Sequence, residues 1–328
     1  MPTLPVPPEL IIITKAIAKS KGRCILVGGA VRDHCMGRNI SKDLDVEIFG
    51  MTPEVLESVL QKFGDVHAVG KSFGVLKLKT SRADYDFSLP RSERKMGKGH
   101  RGFLVTTDST MSYKKAASRR DFTVNSIGYD VLTQELLDPF DGLGDLKRKI
   151  LRHIGTSFAE DPLRVLRAMQ FSACLEFKIA PETVKLCRQL DLEELSRERI
   201  FEEFRKLLLK AKRPSIGLEA ANNLGILAYF PELKALIGVP QDPEWHPEGD
   251  VWTHTLLVMD EAAGLRKCDD KKDLELMFAA LCHDFGKPVT TEFIRGRWRS
   301  PAHDIEGIAP TELFLRRMTD DQTLIEKV

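Results

Sequence analysis

Near Leu151 the hydrophobic pattern of this chain changes period, and that change excludes any single-architecture fold. Before it, strand-like and helix-like stretches alternate. "CILVGG" reads as a buried strand and "AVRDHCMG" as a helix start closed by Gly37. "DLDVEIFG" alternates like a strand, and "TPEVLESVLQKFG" is a capped amphipathic helix ending at Gly64. "VLKLKT" and "YDFSLP" add strands. Ser92–Ser118 is polar and basic without a sustained period, so a mobile loop with one short strand at "GFLVTT" is expected. "NSIGYDVLTQELLDPFDG" reads as a helix end, a small hairpin and a turn.

After Leu151 strand signals nearly vanish. "DPLRVLRAMQFSACL", "PETVKLCRQL", "RERIFEEFRKLLLKA", "PSIGLEAANNLG", "VWTHTLLVMDEAAGL" and "DLELMFAALCHDFG" carry apolar residues at i, i+3 and i+4. "FPELKALIGVPQDPEWHPEGD" reads as a Pro-rich linker between them. The expectation is an α+β chain with a mixed head at 1–150, a helical segment at 151–240 and a second helical segment at 241–328. A length of 328 residues suits more than one core.

Composition excludes little else. Forty-nine Lys and Arg against 48 Asp and Glu leave a net charge of +1, so an RNA partner is neither demanded nor excluded. Basic residues do cluster, at Arg91–Arg101, Lys114–Arg120 and Lys147–Arg152. The six cysteines show no CxxC spacing and read as small buried hydrophobes of a reducing compartment. The N-terminus lacks a basic region before its short apolar run, and no segment is long enough to cross a membrane, so a cytoplasmic protein is expected.

The chemistry is concentrated in "LVGGAVRDHCMGRNISKDLDVEIFG". Residues two apart on a strand share a face, so Asp43, Asp45 and Glu47 line one side and Leu44, Val46 and Ile48 the other. Crowded carboxylates repel one another, and a divalent cation relieves the repulsion. A bare DxD is equally at home on a solvated edge strand. Upstream, Gly28 and Gly29 between a strand and a helix let a triphosphate approach the backbone, and the helix start favours an anion. Arg32 is then placed to clamp phosphate, although a tight turn with a surface arginine has the same sequence. Asp84 and Asp86 share a face of the next carboxylate-bearing strand, and either completes a three-carboxylate site.

These residues resemble a known family. "LVGGAVRD…KDLDVEIFG", "RRDFTVNSIGYD", "DPFDGLGDL" and "EDPLRVLRAMQF" are similar, in order, to the motifs of class II tRNA nucleotidyltransferases and bacterial poly(A) polymerases, members of the polymerase-β-like nucleotidyltransferase superfamily. "HPEGDVWTHT" and "LCHDFGKP" resemble the HD domain appended to some CCA-adding enzymes. The resemblance implies that Asp43 and Asp45 bind catalytic Mg²⁺, with Asp86 as third carboxylate. It implies that Gly28, Gly29 and Arg32 hold the triphosphate, and that Arg120 and Asp121 contact phosphate and ribose. Asp161 and Arg164 would read the base edge from one helix face, and Arg167 would touch triphosphate or base. Gln170 stands where the family usually has arginine, which removes one charge from that row. His254, His283 and Asp284 would hold a divalent transition metal, with His246 and His303 as further candidates; a later ligand aspartate is not evident.

The implied activity is template-independent addition of CCA, or part of it, to tRNA 3′ ends from CTP and ATP, with pyrophosphate released. An A-adding specialist or poly(A) polymerase of the same family is the neighbouring alternative. An HD-type metal phosphohydrolase with an RNA-binding head is the alternative from another class. Helical text is still in progress at Val328, so the native HD region is expected to continue.

Overall fold

The computed structural model describes residues 4–39, 44–68, 75–80, 84–95 and 103–328. It divides into two compact units, Met1–Arg148 with Arg152–Phe158, and Lys149–Leu151 with Ala159–Val328.

The first unit opens with α1 (Pro8–Lys19), which buries Leu10, Ile13 and Ile17 on one face. The sequence showed this stretch only as a short apolar run; the i, i+3, i+7 spacing of those three residues is what makes it an amphipathic helix. There follow β1 (Arg23–Val27), α2 (Gly29–Cys35), β2 (Asp45–Phe49), α3 (Pro53–Leu60), β3 (Asp65–Ala68), β4 (Val75–Lys79) and β5 (Asp84–Ser88). Next come β6 (Arg91–Lys95), β7 (Phe103–Thr107), α4 (Tyr113–Ala117), β8 (Gly128–Asp130), β9 (Leu136–Leu137) and α5 (Gly142–Arg148). Among the described residues, seven strands form one mixed sheet in the order β3-β4-β5-β2-β1-β8-β9. Only β2 and β5 pair in parallel. A parallel pair needs a crossover, and the chain between them supplies it as α3, β3 and β4.

In the Ser92–Ser118 stretch the strand expected at "GFLVTT" forms as β7, while β6 and α4 depart from the loop expected around it. β6 and β7 pair antiparallel from Arg91↔Thr107 to Lys95↔Phe103, and α4 follows. "RSERK" has no apolar alternation to announce a strand; cross-strand pairing, not local pattern, makes it one. The Ser112 hydroxyl accepts a hydrogen bond from Lys115 N at 3.4 Å and so caps α4.

The second unit holds β10 (Ile150–Leu151), α6 (Leu163–Leu175), β11 (Lys178–Ile179), α7 (Pro181–Cys187), α8 (Arg197–Lys210), α9 (Pro214–Leu224) and α10 (Pro231–Ala235). It continues with α11 (Val251–Gly264), α12 (Asp270–Cys282), α13 (Lys287–Thr290), β12 (Glu292–Ile294), β13 (Arg297–Arg299), α14 (His303–Glu306), α15 (Ile308–Arg316) and α16 (Gln322–Lys327). The Pro-rich stretch read as a linker is largely built in. Phe230, Leu233 and Leu236 are buried, α10 lies within it, and Asp250 ends it by capping α11 through Thr253 N at 2.9 Å. Prolines mark turns here, not freedom.

One aromatic cluster carries the core on both sides of residue 240. The Phe314 ring lies 6.1 Å from Phe204, 5.7 Å from Phe230, 6.5 Å from Phe278 and 5.4 Å from Phe285, all at steep angles. Phe314 is fully buried. Phe314→Ala should therefore cost about 3–5 kcal/mol, the range for a large core aromatic. Denaturant unfolding followed by helical circular dichroism checks this; a loss below 1 kcal/mol would show the cluster to be dispensable.

Candidate active site and histidine cluster

In the first unit the site is made where β1 ends and β2 begins. Gly28 has φ +75° and ψ −143°, a conformation for which only glycine is suited. A Cβ placed there would meet Asp45 Oδ2 at 3.2 Å and Arg120 Nη1 at 3.8 Å. The glycine turn, the strand carboxylate and the arginine of "RRDFTVN" thus converge. α2 begins at once with Gly29, and at seven residues it lends only a short dipole. The cradle therefore rests chiefly on the backbone of the glycine turn.

Asp45 and Asp86 are register partners across the parallel β2–β5 pair. Neighbouring strands lie about 4.8 Å apart, and partners in register face the same way, so the two carboxylates stand side by side. Asp86 is ion-paired with Lys77 Nζ at 3.4 Å. Asp43 lies outside the described residues. Glu47, two residues on from Asp45, is buried and faces Arg120 Nη2 at 3.4 Å. A pair of adjacent carboxylates is the donor chemistry a hard divalent cation prefers.

Arg32 is not a free surface arginine. It is buried, its Nη1 donates to Asn125 Oδ1 at 2.8 Å and its Nε donates to Asp33 Oδ1 at 2.9 Å. Asn125 Nδ2 donates to Asp121 Oδ1 at 2.9 Å, and that oxygen also accepts from Phe122 N at 2.8 Å. Arg32 and Asp121, distant in sequence, are joined through Asn125. Its spacing from Asp121, four residues, was the signal available for it. "DPFDGLGDL" is scaffolding for this turn. Asp138 accepts from Gly142 N and Leu143 N at 2.7 and 2.9 Å, and buried Asp145 accepts from Thr123 Oγ1 at 2.8 Å.

In the second unit, Asp161 precedes α6 instead of lying on it, which corrects the shared helix face. The helix begins at Leu163, whose N donates to Asp161 Oδ1 at 3.2 Å, and Arg164 N donates to the Asp161 carbonyl at 3.1 Å. Asp161 and Arg164 are brought together by a turn, because Pro162 starts the helix. Asp161 Oδ2 is held by Arg199 Nη2 at 2.8 Å, a partner the sequence did not announce. Burial works to raise the Asp161 carboxyl, but the bond and charge of Arg199 outweigh it and hold it below the usual range. Arg167 leans over the Phe171 ring at 5.0 Å and faces buried Glu203 at 3.9 Å. Gln170 is buried and donates to Cys174 Sγ at 3.0 Å, so the missing charge is replaced by a neutral contact within the helix.

Elsewhere in that unit, His254, His283 and Asp284 bring ligand atoms within 4.8 Å of one another, as do His246, Glu248 and His254. Asp284 is 2% exposed; its Oδ2 lies 3.1 Å from His283 Nε2, 4.0 Å from His254 Nε2 and 2.9 Å from Lys287 Nζ, and its Oδ1 lies 3.8 Å from His303 Nε2. Burial opposes ionisation of Asp284, but His283 and Lys287 hold its carboxyl at about 2. Burial pushes the His254 imidazole below its ordinary pKa, against the pull of Glu248. These donors fit a divalent transition metal.

Comparison with known proteins places the chain in a family. Residues 24–152 match the Poly A polymerase head domain, and residues 176–237 match the probable RNA and SrmB-binding site of polymerase A. The Multifunctional CCA protein of Xylella fastidiosa strain 9a5c is 42% identical over 303 residues, covering 89% of this chain and 69% of the relative. That of Stenotrophomonas maltophilia strain R551-3 is 41% identical over 316 residues, covering 92% and 74%. The Bacillus stearothermophilus CCA-adding enzyme in complex with CTP superposes with a TM-score of 0.70 at 25% identity, covering 98% of this chain and 68% of that one. A tRNA nucleotidyltransferase complexed with a primer tRNA and an incoming ATP analog gives a TM-score of 0.53 at 26% identity, covering 81% and 80%. Fold and site define a polymerase-type nucleotidyltransferase head, the class that uses divalent metal. Within that class, the chain belongs to the family of CCA-adding tRNA nucleotidyltransferases.

Two outcomes follow. Gly28→Ala should cost about 1–3 kcal/mol of backbone strain and press on Asp45, so nucleotide affinity should fall further than stability; calorimetry with CTP beside an unfolding curve checks it. The lowered Asp161 carboxyl contributes stability above its unfolded value, lost as pH falls through its lower folded value. Arg199→Ala should therefore flatten the acid side of the unfolding midpoint between pH 5 and pH 3 (working range, about one unit either side of a carboxylate's usual value).

Proposed function

We propose that this protein adds CCA to tRNA 3′ ends from CTP and ATP without a nucleic-acid template, releasing pyrophosphate, in the cytoplasm. The observation that carries the reading is the Asp45–Asp86 register beside the Gly28 turn. Names of the relatives and the bound ligands of the structural neighbours support the choice of tRNA, CTP and ATP. No helix among the described residues is long and apolar enough to cross a membrane.

The proposed division of labour is as follows. Asp45 and Asp86, with Asp43, are the residues to hold Mg²⁺, which when bound supplies charge for the attacking 3′-hydroxyl and the departing pyrophosphate. The Gly28–Gly29 backbone and Arg32 receive the triphosphate, and Arg120, steadied by Glu47, adds positive charge beside it. Asp121, fixed by Asn125, faces the ribose. Asp161 accepts from the amino group of cytosine or adenine, and Arg164 donates to the ring nitrogen or carbonyl. Guanine and uracil leave that carboxylate unpaired, which is the source of rejection. Arg167 borders the same nucleotide, and the helices of the second unit bind RNA by shape and phosphate.

Incubation with tRNA lacking its terminus and labelled CTP or ATP tests this directly. Asp45→Ala should lose about a thousandfold in rate, the scale of several kcal/mol of metal-assisted stabilisation; a variant as active as wild type refutes the assignment. Asp161→Ala should relax base choice by about 10- to 100-fold, the worth of one bidentate base contact. Sequencing of the product ends separates full CCA addition from A addition.

The His254–His283–Asp284 cluster favours a second activity, metal-dependent hydrolysis of a phosphoester. His283→Ala should abolish release of phosphate from nucleotide substrates while leaving tRNA extension in place.

A further inference from the structure

The histidines around Asp284 share an arrangement that has nothing to do with their spacing in the chain. In His283 and His303, Nδ1 lies 2.8 Å from a backbone carbonyl, that of Ala280 and that of Ser300. In His254, Nδ1 lies 2.8 Å from Glu248 Oε1. Carbonyls and ionised carboxylates only accept, so each Nδ1 must carry the proton. A neutral ring so held has its lone pair on Nε2; at His283, whose Nε2 lies 3.1 Å from the Asp284 carboxylate, that state needs a cation between the two. All three Nε2 atoms face Asp284, at 3.1 to 4.0 Å.

The three acceptors differ in kind. Ala280 and Ser300 offer main-chain carbonyls close to their own histidines, whereas Glu248 reaches His254 from the loop before α11. That loop is itself pinned. Asp250 caps α11, Val251 N donates to the Val239 carbonyl at 3.0 Å, and His246 N donates to the Asp242 carbonyl at 2.8 Å. Glu248 Oε1 also meets His246 Nδ1 at 3.0 Å, so the carboxylate is held from two sides behind His254.

We propose that Glu248 is a positioning residue that fixes the Nδ1–H tautomer of His254, and that with the Ala280 and Ser300 carbonyls it presents three Nε2 donors, His303 among them, to one divalent transition metal beside Asp284. The inference rests on reading this cluster as a metal site. A carboxylate behind a ligating imidazole orients the ring and raises its basicity, and loss of such a partner weakens metal binding by about 10- to 100-fold. Three nitrogens and one oxygen suit Zn²⁺, Ni²⁺ or Mn²⁺ better than Mg²⁺, which demands oxygen.

The test uses the whole chain, stripped of metal and labelled with ¹⁵N. Long-range ¹⁵N–¹H correlation spectra, recorded where the imidazoles are neutral, report which ring nitrogen carries the proton. Wild type should show Nδ1–H at His254 and His303, whose Nε2 atoms lie 4.0 and 3.8 Å from Asp284. Glu248→Ala should shift His254 toward the Nε2–H form and leave His283 and His303 unchanged, which also shows the fold intact. Titration with Ni²⁺ against a competing chelator should find affinity lowered about 10- to 100-fold in Glu248→Ala and less in Glu248→Gln, which retains an accepting oxygen. An Nε2–H form at His254 in wild type, or a Glu248→Ala protein with tautomer and affinity unaltered, overturns the proposal. Wild type with the expected tautomers but no uptake of Ni²⁺ overturns the metal reading of the cluster and leaves the role of Glu248 in setting the tautomer standing.

Discussion

The parallel pairing of β2 with β5 is the contact on which the catalytic head depends. It sets Asp45 opposite Asp86, two carboxylates whose repulsion the fold maintains through the hydrogen bonds of the sheet. β1 lies on the other side of β2, with Val27 opposite Asp45, and the chain leaves β1 directly into the Gly28 turn. One side chain on a short strand therefore borders both the second carboxylate and the glycine turn. Lys77 pairs with Asp86 and Arg120 with Glu47, which offsets the charge on this face.

The second unit uses a different principle. Its rings gather at Phe314, with members contributed from both sides of the Pro-rich stretch, so the helices before that stretch and the histidine-bearing helices after it share one aromatic core. Its polar sites are each held by a partner from another element or loop: Arg199 for Asp161, Glu203 for Arg167, Glu248 for His254. Burying charged residues is costly unless they are paired, and these pairings keep the site residues ionised or correctly protonated.

Legibility followed periodicity. β1, β2, α3, β5 and the long helices α6, α8, α9, α11 and α12 could be read because their apolar residues recur at 2 or 3.6 residues. β6 could not, because "RSERK" has no apolar face and exists only against β7. α10 was hidden by the prolines around it. The motifs pointed to Gly28, Asp45, Asp86, Arg32, Asp121, Asp161 and Arg164 as types of residue at telling spacings. Their partners stayed invisible, since Asn125, Glu47, Arg199 and Glu248 are ordinary polar residues until the fold sets them against something.

By itself, the sequence determined the mixed head followed by helices, the carboxylates on one strand face, the glycine turn and the family to which the chain belongs. These are local properties: period, spacing and backbone freedom act over a few residues. Only the tertiary structure decided that Asp45 faces Asp86, that Arg32 is buried against Asn125, that Asp161 stands ahead of α6 in the grip of Arg199, and that three imidazoles turn the same nitrogen toward Asp284. Each of those depends on atoms 30 to more than 90 positions away or on the direction of a single ring, and no local pattern encodes either.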